Sequence, residues 1–229
     1  MGMGMEMNIK LLTHTPHPER IVAQAAKLCY WPGGIDGLEV LSDPEPFIEK
    51  LVRMEHDSPL EHASFSFGIE GISRACANQL VRHRMASYSQ KSQRYVSEDD
   101  AQFVVPERIQ NDWEARTRFA TACKNAVSNY SYLTECLVNA GYSKKEAIEE
   151  ARYILPNATH TALIVTMNVR ALRHFFALRL CKRAQAEIRE LASVMLTLCS
   201  EVSPALFKNS GPDCAHCREG AYACKKKGD

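Results

Sequence analysis

The spacing of apolar and polar positions changes several times along the chain, and each change marks an element. Asn8 to Thr13 reads as a short strand. From Pro18 to Tyr30, Ile21, Val22, Ala25 and Leu28 share one helix face, with Pro18 in the first turn, where its missing N–H is not needed. The Pro/Gly-rich stretch from Trp31 to Leu41 is a loop, and Asp43 is placed to cap a second helix through Phe47, Ile48 and Leu51. Phe65-Ser-Phe-Gly-Ile69 alternates strictly, so one face of that strand is apolar. Ala75, Leu80 and Val81 return to helical spacing, in a helix that ends near Arg84 and gives way to a loop. A long helix covers Trp113 to Ala140 and stops at Gly141. Ser143, with Glu146 three residues on, forms a capping box for the next, which Pro156 closes. Ala162 to Met167 is a continuous apolar run, which suits a buried strand. Asn168 caps a helix from Val169 to about Leu180, and Ile188, Leu191, Met195, Leu198 and Val202 stripe the last one.

No internal repeat and no linker interrupts this order. The pattern predicts one α+β domain over residues 1–208, an antiparallel sheet with a helix-rich body, followed by a Cys/Lys-rich tail over 209–229. Residues 1–6 read as an alternative start or a cloning remnant, and they lack the basic start and apolar core of a signal peptide.

Composition narrows the function classes. With 45% hydrophobic and 24% charged residues over 229 positions, the chain has the make-up of a soluble domain with a sizeable core. A net charge of +1 argues against a broadly basic nucleic-acid binder, and no apolar run is long enough to cross a membrane. Of nine cysteines, Cys29, Cys76, Cys123, Cys136, Cys181 and Cys199 stand singly, mostly in helix-like apolar sequence. That usage belongs to a reducing compartment, so the expected location is the cytoplasm.

The candidate chemistry lies in Gln79-Leu-Val-Arg82-His83-Arg84-Met-Ala-Ser-Tyr-Ser-Gln90-Lys91-Ser92-Gln93-Arg94-Tyr95. Gln79 and Arg82 share a helix face. Guanidinium groups donate paired hydrogen bonds to phosphate and stay charged at any relevant pH. A basic triplet alone is most often a solvated loop or paired with distant acids. Here no acidic residue occurs until Glu98, which points to an anion from outside the chain.

Arg82-His83-Arg84, seven residues and then Ser92 resembles the R-H-R-x7-S signature of the flavin-dependent thymidylate synthases. The resemblance extends to His56-Asp-Ser58-Pro-Leu-Glu61-His62, to Ala151-Arg152-Tyr-Ile-Leu-Pro156 and to Asn168-Val-Arg170-Ala-Leu-Arg173-His174-Phe, and ends near Arg179. It implies reductive methylation of dUMP to dTMP, with FAD as cofactor and NADPH and 5,10-methylenetetrahydrofolate as co-substrates. Ser58, Arg82, His83, Arg84, Gln90, Asn168, Arg170 and His174 would hold FAD. His56 and His62 would be flavin neighbours or hydrogen-bonded loop residues. The dUMP site would use Gln79, Arg82, Gln90, Lys91, Ser92, Gln93, Arg94, Arg152 and Arg179, with phosphate on Arg94 and Arg152. Arg179 would be catalytic, facing the uracil and stabilising the charge that activates C5. From position alone, Arg152 and Arg179 suit salt bridges to Glu149, Glu150 or Glu187 equally well. The resemblance also implies a homotetramer with shared active sites, and no nucleic-acid or membrane partner.

Two features qualify it. The family often has Glu where Gln90 stands, so a role that needs ionisation there is in doubt. No Pro-Cys-His run offers the thiolate of ordinary thymidylate synthases, which the flavin route does not require. Ser92 has no base beside it in sequence and is assigned to binding. In the tail, Cys214, His216, Cys217 and Cys224 are a weak zinc set, with a flexible tail or a redox pair as the other readings. Two further classes are a related flavoprotein without synthase activity, and an RNA-binding or zinc-ribbon protein using the arginine segment and Lys225 to Lys227.

Overall fold

A computed structural model describes residues 6–35, 38, 44–214, 217, 220 and 224. The elements run β1 (Asn8–His14), α1 (Pro18–Leu28), α2 (Glu45–Arg53), a 3-10 turn (Ser58–His62), β2 (Ser64–Ser73), α3 (Arg74–Leu80) and β3 (Ala86–Gln90). They continue α4 (Glu107–Gln110), α5 (Trp113–Asn139), α6 (Lys144–Ala151), a 3-10 turn (Arg152–Ile154), β4 (His160–Asn168), α7 (Val169–Arg179), α8 (Ala186–Val202) and α9 (Pro204–Phe207). The strands form one four-stranded sheet in the order β1-β2-β4-β3, within an α+β fold of antiparallel sheet and helical body.

The chain divides into two compact units. One comprises residues 1–8, 69–81 and 89–164, the other 9–68, 82–88 and 165–229. In the first, Tyr130 of α5 packs fully buried with Ile148 and Ala151 of α6, and Leu155 closes the cluster. Serine starts two helices here. Ser73 accepts from the Cys76 N–H at 3.0 Å, and Ser143 and Glu146 exchange the reciprocal bonds of a capping box. Gly71 has φ 76°, and a Cβ there would lie 2.2 Å from the Glu6 carbonyl oxygen, so only glycine fits.

The second unit is built on aromatic packing. Phe65 meets Phe207 edge-on at 5.4 Å, Phe207 meets Phe176 at 6.0 Å, and Phe176 meets Phe175 at 5.6 Å. Val22 and Ala26 of α1, Ile48 and Leu51 of α2, and Ile188, Leu191 and Met195 of α8 are also buried in it. Asn168 caps α7 by accepting from the Ala171 N–H at 2.8 Å.

Several expectations are corrected. The helix of Ala75 and Leu80 stops at Leu80 rather than near Arg84, and it gives way to a turn and then strand β3, not to a loop. The Ala162–Met167 run is not buried on both faces: Leu163, Val165 and Met167 are buried, while Ile164 is 48% exposed. Strand alternation therefore holds within an apolar run, because Ala162, Ile164 and Thr166 share the opposite face. Helix α6 ends at Ala151 and a 3-10 turn succeeds it, so Pro156 lies beyond the end instead of closing it. Pro44 occupies the N-cap of α2, and the expected cap Asp43 lies outside the described residues. The short helix α4 was not expected from the sequence pattern.

Candidate active site

The residues expected to hold flavin fall mostly in the second unit. The Arg82–Arg84 segment lies between the end of α3 and the start of β3, beginning in the turn that follows the helix. Arg82 and Arg84 are exposed, and no carboxylate lies within ion-pair distance of either among the described residues. His83 between them is half-buried against α7. Its ring meets Phe175 edge-on at 5.0 Å and His174 at 6.3 Å.

The hydrogen bonding fixes the state of His83. The Arg179 Nε–H donates to His83 Nε2 at 3.0 Å. A guanidinium only donates, so Nε2 carries the lone pair and the proton of the neutral ring sits on Nδ1. Burial first, then the Arg179 and His174 charges, push its pKa down to about 4. The Tyr88 hydroxyl donates to the His83 carbonyl at 2.8 Å, and burial raises the Tyr88 pKa to about 12. A neutral imidazole thus stands between two exposed cations.

Arg170, in the first turn of α7, is already paired. It meets Glu61 at 2.5 Å and Asp57 at 3.8 Å, with Glu61 the main cause of its raised pKa. Ser58, His56 and His62 are exposed in and beside the 3-10 turn that carries Glu61. His174 is exposed one residue after Arg173, whose guanidinium has a different task. Arg173 donates to the Leu206 carbonyl at 2.7 Å and to the Ser210 hydroxyl at 2.9 Å, tying down the chain beyond α9. The side-chain oxygen of Asn168 is engaged in its helix cap.

The residues expected at the nucleotide divide between the units: Gln79, Gln90 to Arg94 and Arg152 lie in the first, Arg82 and Arg179 in the second. In the first unit the Gln90 amide donates to the Thr161 hydroxyl at 3.2 Å. The Lys91 N–H donates to the Ala162 carbonyl at 2.9 Å. Ser92 Oγ accepts from the Arg94 N–H at 3.2 Å, a local turn that presents Arg94 outward. Gln93 is buried, with an Nε2 that has no hydrogen-bond partner, so its side chain does not line a solvent-facing surface.

Here one expectation fails. The arginine run does have internal acids: Arg94 meets Glu149 of α6 at 2.7 Å, and Lys91 meets the buried Glu98 at 3.5 Å. The Arg94 partner lies far downstream, where no local reading finds it. It is also the carboxylate considered for Arg152, which itself has no carboxylate within ion-pair distance among the described residues. Sequence reasoning assigned no role to Tyr88, Glu61 or Asp57, although each stood inside a matched motif, and it weighed Glu149 for Arg152 rather than for Arg94.

In the tail, Cys214, Cys217 and Cys224 are exposed free thiols, and His216 and Lys225 to Lys227 lie outside the described residues. Among the described residues no group of three His, Cys, Asp or Glu side chains is placed to hold a metal. Burial raises the pKa of Cys123 and Cys199, which makes both poor thiolates.

Residues 10–205 match the family model described as thymidylate synthase complementing protein. The chain belongs to the flavin-dependent thymidylate synthase family. It is 46% identical to the flavin-dependent thymidylate synthase of Clostridium tetani over 98% of this chain and 96% of that one. With the Geobacter sulfurreducens enzyme of the same name the identity is 49%, over 96% and 94% of the two chains. A crystal structure of the Streptomyces cacaoi UMP/dUMP methylase PolB, bound with 5-Br dUMP, shares the fold at TM-score 0.70 and 23% identity, covering 88% of this chain and 93% of that one. As a member of the flavin-dependent thymidylate synthase family, the chain is a methyl-transferring enzyme.

Proposed function

We propose that this enzyme converts dUMP to dTMP with FAD, 5,10-methylenetetrahydrofolate as one-carbon donor and NADPH as reductant. The observation that carries the reading is the pair of exposed arginines, Arg82 and Arg84, with no carboxylate partner among the described residues and a neutral His83 between them. Charged donors left without an internal anion suit an organic pyrophosphate. The donor set fits FAD: two free guanidinium groups for the phosphates, and His174 exposed on the adjoining face of α7.

Reduced flavin, when bound, supplies the hydride that completes the methyl group. The chain's own residues bind, orient and stabilise charge. Arg152 is the stronger phosphate anchor, because no carboxylate competes for it among the described residues. Arg94 contributes as well: a guanidinium has five N–H donors, and the Glu149 contact is made at Nε. Arg179 is held at its Nε by His83, which limits how its planar group can turn, and in this reading that group faces the pyrimidine. Gln90 acts as a neutral hydrogen-bonding residue, its amide held by Thr161. We place the enzyme in the cytoplasm as a homotetramer with shared active sites. The buried thiols of Cys123 and Cys199 support a reducing compartment.

The deciding assay is dTMP formation with all components, then with FAD, NADPH or the folate omitted in turn. Product only from the complete mixture is expected. A protein that binds flavin and dUMP yet forms no dTMP would instead be a nucleotide-binding flavoprotein without synthase activity.

A further inference from the structure

Glu98 is the one carboxylate among the described residues that is buried, at 4% exposure. Its backbone N–H donates to the hydroxyl of Tyr130, itself fully buried on α5, at 3.3 Å. Its Oε1 has no hydrogen-bond partner, and the Lys91 ammonium stands 3.5 Å away. For folding alone this is a poor arrangement. A buried carboxylate with an unsatisfied oxygen loses hydration that one ion pair does not fully return.

The surrounding charges offset part of this cost. Arg74 and His160 both feel its attraction, Arg74 is repelled by Arg152, and His160 by Lys91. Glu98 is thus an internal anion among several cations. Two of them act on the same stretch of chain. Arg74 Nη1 donates to the Lys91 carbonyl at 3.5 Å, and Lys91 gives its ammonium to Glu98 and its N–H to Ala162. Lys91 is held at its N–H, its carbonyl and its ammonium, and Ser92 and Arg94 come directly after it. Beside this stretch lies a cavity of about 300 Å³, with Lys91, Glu98, Asp99, Asp100 and His160 in its lining.

We infer that Glu98 is a positioning residue for the nucleotide phosphate, holding the Lys91–Arg94 segment through Lys91 and Arg74 so that Ser92 and Arg94 are presented in a fixed pose. The inference rests on the reading of Ser92 and Arg94 as nucleotide contacts. Without the carboxylate, the cations repel one another, the Lys91 anchor is lost and the segment samples other conformations. Binding of dUMP then requires ordering it first, which raises KM far more than it lowers kcat.

The test is calorimetric titration with dUMP together with steady-state kinetics on the flavin-loaded enzyme, for wild type, Glu98→Gln, Glu98→Asp, Lys91→Met and the Glu98→Gln/Lys91→Met double variant. Glu98→Gln should raise Kd and KM for dUMP on the order of 10-fold, with flavin content unchanged and no loss of thermal stability. Glu98→Asp keeps the charge and should recover most of the affinity. Lys91→Met, at a half-exposed side chain that tolerates change, should weaken dUMP alike, and the double variant should be no worse than the poorer single one. Unchanged dUMP affinity in Glu98→Gln overturns the inference, as does a melting-point drop without an affinity change, or additive losses in the double variant. A wild type that does not bind dUMP overturns the nucleotide reading itself, a result separate from wild-type binding with indifferent variants.

Discussion

One basic stretch of sequence folds into two electrostatic settings. Around Arg82 and Arg84 the chain supplies no carboxylate within reach among the described residues, and the histidine between them is held neutral by burial and by Arg179. Around Lys91 and Arg94 it supplies one for each cation, Glu98 and Glu149. In the first setting positive charge stands ready for an outside anion. In the second an outside anion meets groups already engaged, so geometry and competition decide affinity more than charge does. Counting arginines in a motif therefore says little about their strength; the acids folded against them matter as much.

The comparison is broken most directly at the unpaired arginines. Arg82→Ala and Arg84→Ala should each cut FAD affinity by roughly 10- to 100-fold, since each removes a charge-assisted contact with no internal substitute. Flavin fluorescence titration reads this, and full flavin retention in both variants would remove the cofactor assignment. A smaller effect is expected at the paired site. Arg94→Ala should raise KM for dUMP by about 10-fold, whereas Glu149→Gln should change it by less than about 3-fold and in the favourable direction, because a partly exposed competitor is gone. Should Glu149→Gln instead mimic Arg94→Ala, Glu149 serves to aim Arg94 rather than to compete for it.

The smallest effect concerns His83 and pH. Its folded pKa near 4 lies below the ordinary value of 6.5, so between these values the unfolded chain binds the extra proton. The stability contribution is complete above about pH 6.5 and is lost as pH falls toward 4. Discounted for partial solvent access it amounts to roughly 1–2 kcal/mol. Denaturant unfolding of flavin-free wild type and His83→Asn across this window should show the slope reduced in the variant. Equal slopes would mean that His83 titrates as a free histidine.

Most elements were legible because their signals are local. Asn168 and the Ser143–Glu146 pair are short-range caps, and both appear as expected. Strand β3 was not legible, because Ala86-Ser-Tyr-Ser-Gln90 has small and polar residues on both faces and stands at the sheet edge. Periodicity has no apolar face to report there. The site divides in the same way. The R-H-R-x7-S spacing located the arginine and loop residues, but the states they adopt depend on partners brought in by the fold. Glu149 reaches Arg94 from α6, and Arg179 fixes the tautomer of His83 from the end of α7. Arg173 and His174, neighbours in one matched motif, separate into a structural clamp and an exposed ring only because helix geometry turns them to different sides.

Helix α5 has 27 residues, a rod of roughly 40 Å, and its buried side chains are Cys123, Tyr130 and Thr134. Helices α4 and α6 pack against this rod, and its Tyr130 hydroxyl accepts the Glu98 N–H, so the seating of one long helix also sets the place of a single distant peptide.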